Sequence, residues 1–343
     1  MPQDESCNLS ARRVGLLYLL FFLICLGLGY PILNRIDWQH APGGLTDLQQ
    51  YARLVTAPPS TDPALHTQFR ILVPMVARVF YHLGRNHIGS WDPVMFGLLV
   101  ANAFFVAGAV TLLILVAMRL TSNYALAIGS ALLYLLNFVV PNLRLYGFID
   151  SGEAFFLLAV LWALIRERYA LLPVCAIAGA CAKETFVGFL VVFTATWWLL
   201  SPGMPRRATA WIVSSWVIGF ATLSTLQWSI LGVFRSPLQF ALSLHGHAHL
   251  SHQIKLWLSD RNLLYTFVWL LPLSIPHLLR FPRNWRLATA ACCLAAFALD
   301  AYYGAAPGTM ARAQFTLAAP LLTVSAASLL FQRPTAPRNQ PED

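Results

Sequence analysis

Long apolar runs, broken by short polar or charged intervals, dominate this chain. They cover about 14–34, 93–118, 122–141, 150–165, 169–182, 185–200, 209–232, 262–279, 287–304 and 312–331. Most approach the roughly 20 residues a helix needs to cross a bilayer. The runs are continuous, whereas the strands of a membrane β-barrel alternate apolar and polar residues. The pattern predicts an all-α fold, a polytopic transmembrane bundle of about ten spans. The runs 169–182 and 185–200 are short. The residues leave open whether they cross fully or form a re-entrant hairpin with 183–185 at its tip.

Two longer polar segments interrupt the pattern, 35–92 and 233–261. Within the first, Leu45, Leu48, Ala52 and Val55 recur at helical spacing, and so do Phe69, Leu72, Val73, Val76, Phe80 and Leu83. Arg70 and Arg78 oppose the second stripe. Both stretches are too polar to span and predict helices lying at the membrane surface. Ala57-Pro58-Pro59-Ser60 and Asp62-Pro63 separate them as a turn. The chain reads as one integral-membrane domain over 1–331 with a disordered cytoplasmic tail, 332–343. No internal repeat is evident, so an inverted-repeat transporter lacks support.

Composition agrees. Of 343 residues, 58% are hydrophobic and 11% charged, less than half the roughly 25% of soluble domains. The net charge of +9 does not point to nucleic acid, because most arginines sit at span ends and fix topology. With the N-terminus inside, Arg12, Arg13, Arg119, Arg166, Arg168, Arg206, Arg207, Arg280, Arg283, Arg286, Arg333 and Arg338 fall on the cytoplasmic side. Both termini are then cytoplasmic. The apolar run after Arg13 exceeds a signal-peptide core and no A-x-A-like site follows, so it reads as an uncleaved span. Cys7, Cys25, Cys175, Cys181, Cys292 and Cys293 lack CxxC spacing and read as packing residues.

Threading the chain this way brings Asp47, Asp150, Glu153, Lys183, Glu184 and Arg312 to one outer face. Ionisable groups gathered at one membrane face point to a site. Asp47 is either a helix-start acid or a general base at the bilayer edge. Arg70 either snorkels or binds an anionic substrate group, since guanidinium matches phosphate. Asp150 or Ser151 reads as a helix cap. Glu153, at the edge of an apolar run, needs a partner, for which Arg144 and Lys183 are candidates. Lys183 and Glu184 form a structural ion pair or handle a phosphate and a sugar hydroxyl. Arg312 anchors a lipid phosphate or only a helix end. His245, His247, His249 and His252 invite a metal, but i, i+2, i+4 spacing in a loop fixes no tetrahedral geometry. Headgroup, sugar or acceptor contacts, or a solvated loop, fit them better, and no metal ligands are assigned.

The chain has no Walker A loop, HExxH, GxSxG or GxGxxG in a βαβ context. No cytoplasmic segment is large enough to form a nucleotide-using domain. A donor must then reach the outer face by itself, as a lipid-carried group does.

An Asp soon after the first span, followed by Arg70-Ile71-Leu72-Val73-Pro74, resembles bacterial polytopic glycosyltransferases of the GT-C superfamily. Asp150-Ser151-Gly152-Glu153 at the head of a span, Lys183-Glu184-Thr185 between spans, and Arg312 followed by Pro320 extend the likeness. The resemblance implies transfer of a sugar from a polyprenyl-phosphate carrier to an envelope glycan, lipid or protein acceptor. It also implies a bacterial inner (plasma) membrane location with the site facing the periplasm or exterior. Carried over, Asp47 is the catalytic base, and Arg70, Lys183 and Arg312 bind the donor phosphate. Glu153, Glu184, Arg144, Tyr146 and His247 are candidates for contacts to the sugar or for support of the groups that make them. Trp38, Tyr51, Tyr146 and Tyr303 either stack on sugars or form an interfacial belt. Direct displacement would invert the anomeric centre. Many members carry two close acids in the first loop, whereas Asp37 and Asp47 are ten positions apart. A divalent cation therefore stays open as cofactor. No large soluble domain follows the spans, which leaves the acceptor open. The competing readings are a transporter or flippase for a lipid-linked glycan, and a non-catalytic membrane subunit of an envelope-polymer complex.

Overall fold

The structure, a computed structural model, describes residues 9–33, 46–62, 66–87, 89–234, 250–304 and 309–331. Asp37, Trp38, the histidines at 245, 247 and 249, the side chain of Tyr303 and the tail 332–343 lie outside the described residues.

Among the described residues every regular element is helical. The principal helices are α1 (Ala11–Gly29), α2 (Thr46–Thr56), α3 (Leu72–Gly84), α4 (Pro93–Thr121), α5 (Tyr124–Leu135), α6 (Asp150–Ile165), α7 (Leu172–Ala182), α8 (Thr185–Leu199), α9 (Arg206–Leu231), α10 (Leu250–Ser259), α11 (Arg261–Phe267), α12 (Leu270–Leu278), α13 (Arg283–Tyr303) and α14 (Thr309–Phe331). The apolar runs become helices close to their expected bounds. Two differ. The run 262–279 divides into α11 and α12, and the run 122–141 ends early in α5, with a π-turn at Val140–Arg144.

Local chemistry sets several boundaries. Asp92 caps α4, accepting from the backbone N–H of Val94 at 2.7 Å and of Met95 at 3.2 Å, with Pro93 at the first helical position. Asn123 does the same for α5 through Leu126 N–H at 3.1 Å.

The bundle is layered by burial. Helices α4 and α14 are mostly buried, and α6 packs against both. Helices α1 and α9 are mostly exposed and present Leu16, Leu19, Leu23, Val217, Phe220 and Trp228 outward. Apolar surface of this extent suits lipid rather than water. Among the described residues four helices, α1, α4, α9 and α14, are long and apolar enough to cross a membrane. The chain is thus built as a helical membrane protein. Helices α6, α7 and α8 have 16, 11 and 15 residues. They extend roughly 24, 16 and 22 Å at 1.5 Å per residue, short of the roughly 30 Å of hydrocarbon.

The first polar segment folds back on itself. Arg78 reaches the last turn of α2, donating from Nε to the Val55 carbonyl at 3.0 Å and from Nη2 to Leu54 at 2.7 Å and to Ala57. It satisfies carbonyls that a helix C-terminus leaves without partners. Arg70, expected to face away from the apolar stripe, is buried instead. Helix α3 lies so close along α4 that a Cβ on Gly97 would sit 2.5 Å from the Ala77 carbonyl oxygen.

That contact is between backbones, so a side chain at Gly97 cannot be accommodated by a rotamer change. Gly97→Val is expected to destabilise the protein by about 1–3 kcal/mol through overpacking. Thermal unfolding in detergent followed by tryptophan fluorescence checks this, with Gly188→Val as control. Gly188 has nothing within 4 Å of its Cβ position and should unfold near the wild-type temperature.

Candidate functional site

Five segments bring charge to one end of the bundle. Asp47 lies in the first turn of α2. Asp150 and Glu153, three residues apart, lie in the first turn of α6. Lys183 ends α7 in extended backbone and Glu184 opens α8. Arg312 lies in the first turn of α14. Arg70 follows a short 3-10 turn, His66–Phe69. The helix dipoles favour this distribution for the carboxylates and Lys183 but not for Arg312, a cation at a helix N-terminus that relies on Asp47 and Asp150 instead. Carboxylates sit at the N-terminal ends of α2, α6 and α8, and Lys183 sits at the C-terminal end of α7.

The groups form a connected network. Lys183 Nζ donates to Asp150 Oδ1 at 2.7 Å and lies 3.1 Å from Glu153 Oε2. The other Glu153 oxygen accepts from Thr185 at 2.5 Å. Arg312 joins two acids, with Nε 3.4 Å from Asp150 Oδ2 and Nη2 3.3 Å from Asp47 Oδ2. Its guanidinium carbon lies 4.4 Å from the centroid of the Phe148 ring, a cation–π distance. Gly147, at φ 121°, allows the chain to turn immediately before Phe148, and a Cβ there would strike Leu48 of α2 at 2.6 Å.

Arg70 forms a bidentate pair with Glu184, Nε to Oε2 at 2.8 Å and Nη2 to Oε1 at 2.5 Å. Its Nη1 donates to the Tyr51 hydroxyl at 2.5 Å. Tyr51 lies four residues after Asp47, on the same face of α2. Burial alone would lower the Arg70 pKa, but the Glu184 carboxylate and Tyr51 hold it well above the ordinary guanidinium value. Burial pushes the Tyr51 phenol up to about 12, with Arg70 opposing.

The remaining expected residues fall at different depths. Arg144 is fully buried, and it partners neither Glu153 nor any other carboxylate directly. It donates to the Tyr134 hydroxyl and to Thr316 Oγ1 at 2.7 Å, and it packs over Phe315. Thr316 in turn donates to the Arg312 carbonyl at 2.9 Å, so Arg144 braces the first turns of α14. Tyr146 is half-buried against the core. His247 lies outside the described residues. Tyr51, expected as a sugar-stacking or belt aromatic, is buried and serves Arg70. Among the described residues no three His, Cys, Asp or Glu side chains converge on a metal-holding geometry.

Asp150 departs most from its reading as a helix cap. The residue before the helix, Ile149, makes no side-chain cap, and the Asp150 oxygens face Lys183 and Arg312 instead. The available signal was the second acid at Glu153 on the same turn, with a fully apolar run behind both.

Behind the network lies an apolar cleft. Leu157, Leu161, Phe193, Trp285 and Pro320 line it, and Thr316 stands on its wall.

No family model matches the chain, and no curated sequence does. Among solved structures, ArnT from Cupriavidus metallidurans bound to undecaprenyl phosphate matches with a TM-score of 0.59 at 15% identity. The match covers 91% of this chain and 59% of ArnT, so the chain spans about three-fifths of that protein's length. Identity this low speaks for the fold alone, and that helical fold is one the chain shares with ArnT.

Proposed function

We propose that this chain is a glycosyltransferase that moves a sugar from a polyprenyl-phosphate carrier to an envelope glycan, lipid or protein acceptor. One observation carries the reading. Three cations from separate elements, Arg70, Lys183 and Arg312, converge with Asp47 at one end of a bundle whose fold is shared with a protein that binds undecaprenyl phosphate. The cluster sits at helix ends on one side, which favours an enzyme over a transporter built on mid-membrane broken helices. In this reading residues 1–331 form one domain in the bacterial plasma membrane, with the site on the outer face and helices α2 and α3 along the surface.

The chemistry is a displacement at the anomeric carbon. The acceptor hydroxyl oxygen forms the new bond to that carbon while the bond from carbon to phosphate oxygen breaks. The hydroxyl proton passes to an Asp47 oxygen, and the bonding electrons leave with the carrier phosphate. Asp47 is the most exposed acid of the network, its side chain 28% accessible, which fits a group that must meet an incoming acceptor. Arg312, Lys183 and Arg70 stabilise the charge developing on the phosphate. A single displacement inverts the anomeric configuration. Asp150 positions Lys183 and Arg312 without touching substrate, and Glu153 and Glu184 hold Lys183 and Arg70.

Asp47→Asn should insert and fold normally and lose sugar transfer by about 10²–10⁴-fold, the range for a general base. Mass spectrometry of envelope glycans in a deletion strain carrying the variant reads this, and wild-type glycans would sink the assignment. Arg70→Ala should raise the KM for the polyprenyl-phosphate sugar more than that for the acceptor. Equal effects on both would argue against a phosphate role. Asp150→Ala leaves Lys183 and Arg312 short of a buried counter-charge, so a stability loss of about 3–5 kcal/mol is expected from thermal unfolding in detergent.

A further inference from the structure

We propose that Asp47 is the resident occupant of the carrier-phosphate position on Arg312, and that donor binding displaces it. One exchange would then seat the phosphate and release the base. The inference rests on the reading of Asp47 as base and Arg312 as phosphate ligand.

The cations of the cluster are already matched. Arg70 holds Glu184, Lys183 holds Asp150 and Glu153, and Arg312 holds Asp150 and Asp47. Four carboxylates therefore face the three cations that contact them before any substrate arrives, with Arg144 adding a fourth positive charge that acts on Asp150 without touching it. A further anion added to this shielded set would be left without a counter-charge, which a low-dielectric site penalises heavily. One carboxylate must give way.

The geometry singles out Asp47. Its 3.3 Å contact to Arg312 is longer than the 2.5–3.1 Å contacts within the Arg70–Glu184 and Lys183 pairs. Its side chain is 28% exposed, against 15% for Glu184, 4% for Asp150 and 1% for Glu153. Asp150 makes an equally long contact to Arg312, but it is buried and fixed by Lys183 at 2.7 Å. Asp47 is thus the most exposed and the most weakly held of the four.

Arg312 stays in place when Asp47 leaves. Asp150 holds its Nε side, the Phe148 ring lies against its face, and the Arg144–Thr316 brace secures the turn that carries it. The Nη2 position vacated by Asp47 is then a preformed donor for a phosphate oxygen. While paired, one of the two Asp47 oxygens is engaged by Arg312 and the side chain is held toward it. Once displaced, both oxygens are available to an acceptor hydroxyl. After transfer Asp47 carries the proton and is neutral, so it does not compete with the departing carrier phosphate until it has lost that proton.

The test is affinity rather than turnover. Binding of undecaprenyl phosphate to the full chain in nanodiscs is measured by native mass spectrometry or fluorescence titration. Asp47→Asn removes the competitor and should bind about tenfold more tightly, a change of about 1.4 kcal/mol. In an Arg312→Lys background, the same Asp47→Asn change should alter affinity less than about twofold. Unchanged or weaker binding by Asp47→Asn overturns the exchange, and so does an equal gain in both backgrounds. Should Arg312→Lys fail to fold, Glu153→Gln serves as the comparison. It removes one negative charge from the cluster without touching Arg312, and a gain equal to that of Asp47→Asn would reduce the effect to overall charge. The activity of Asp47→Asn answers a separate question. Full turnover with tenfold tighter binding would remove Asp47 as base and keep it as competitor, whereas lost turnover with unchanged binding would do the reverse.

Discussion

The Asp150 carboxylate, taken out of water at the head of α6, is the group on which the rest of this structure depends. An ionised carboxylate buried alone is unfavourable by tens of kcal/mol in the idealised limit, so it exists here only with partners. Lys183 supplies one, at the junction of α7 and α8, and Arg312 supplies the other, from the first turn of α14. The three elements that form the floor of the site are therefore held in register by one side chain. Hydrophobic packing alone would allow α6, α7 and α14 to slide along one another with little change in buried area. Paired charges do not allow it, because a shift of a few ångströms separates them in a medium that does not screen them.

Depth extends the same argument. Ser151, beside Asp150, bonds Asn102 in the tenth residue of α4, so the head of α6 lies well below the start of α4. The charges therefore lie below the start of α4 and level with the start of α14. Arg70 and Tyr51, on the first polar segment, close over the floor of the site and are bound to it through Glu184. The Arg78 cap on α2 and the backbone contact between Gly97 and Ala77 fix the cover to the bundle. The surface segment is thus part of the site rather than a loop resting upon it.

Much of this was legible in the sequence, and what was hidden has a common cause. The apolar runs have lengths and edges, so the positions of the helices, and with them the grouping of charges at one end, follow from local pattern. The amphipathic stripes gave α2 and α3 for the same reason. Pairing is another matter. Arg70 and Glu184 are separated by 114 positions, and Arg312 and Asp47 by 265, and no local rule connects residues so far apart. Asp150 was misjudged because a cap is a local explanation, complete in itself, while its true partners lie on other helices. Arg144 shows the converse. It is near Glu153 in sequence, yet the π-turn at Val140–Arg144 directs it to Tyr134 and Thr316.

A network in which every cation is already paired looks at first like structure rather than chemistry. Preorganisation removes the contradiction. A guanidinium that must stabilise a leaving phosphate is useful only if it is in position before the charge develops, and a lone arginine on a flexible stem is not. Asp150, Glu153 and Glu184 provide that position, each buried or nearly so and each bound to a cation by a short contact. On the proposed reading they hold cations and leave proton transfer to Asp47. Asp47 differs in being partly exposed and more weakly engaged. The same set of ion pairs, on that reading, separates the carboxylates that fix a cation from the one that accepts a proton, by burial and by length of contact together.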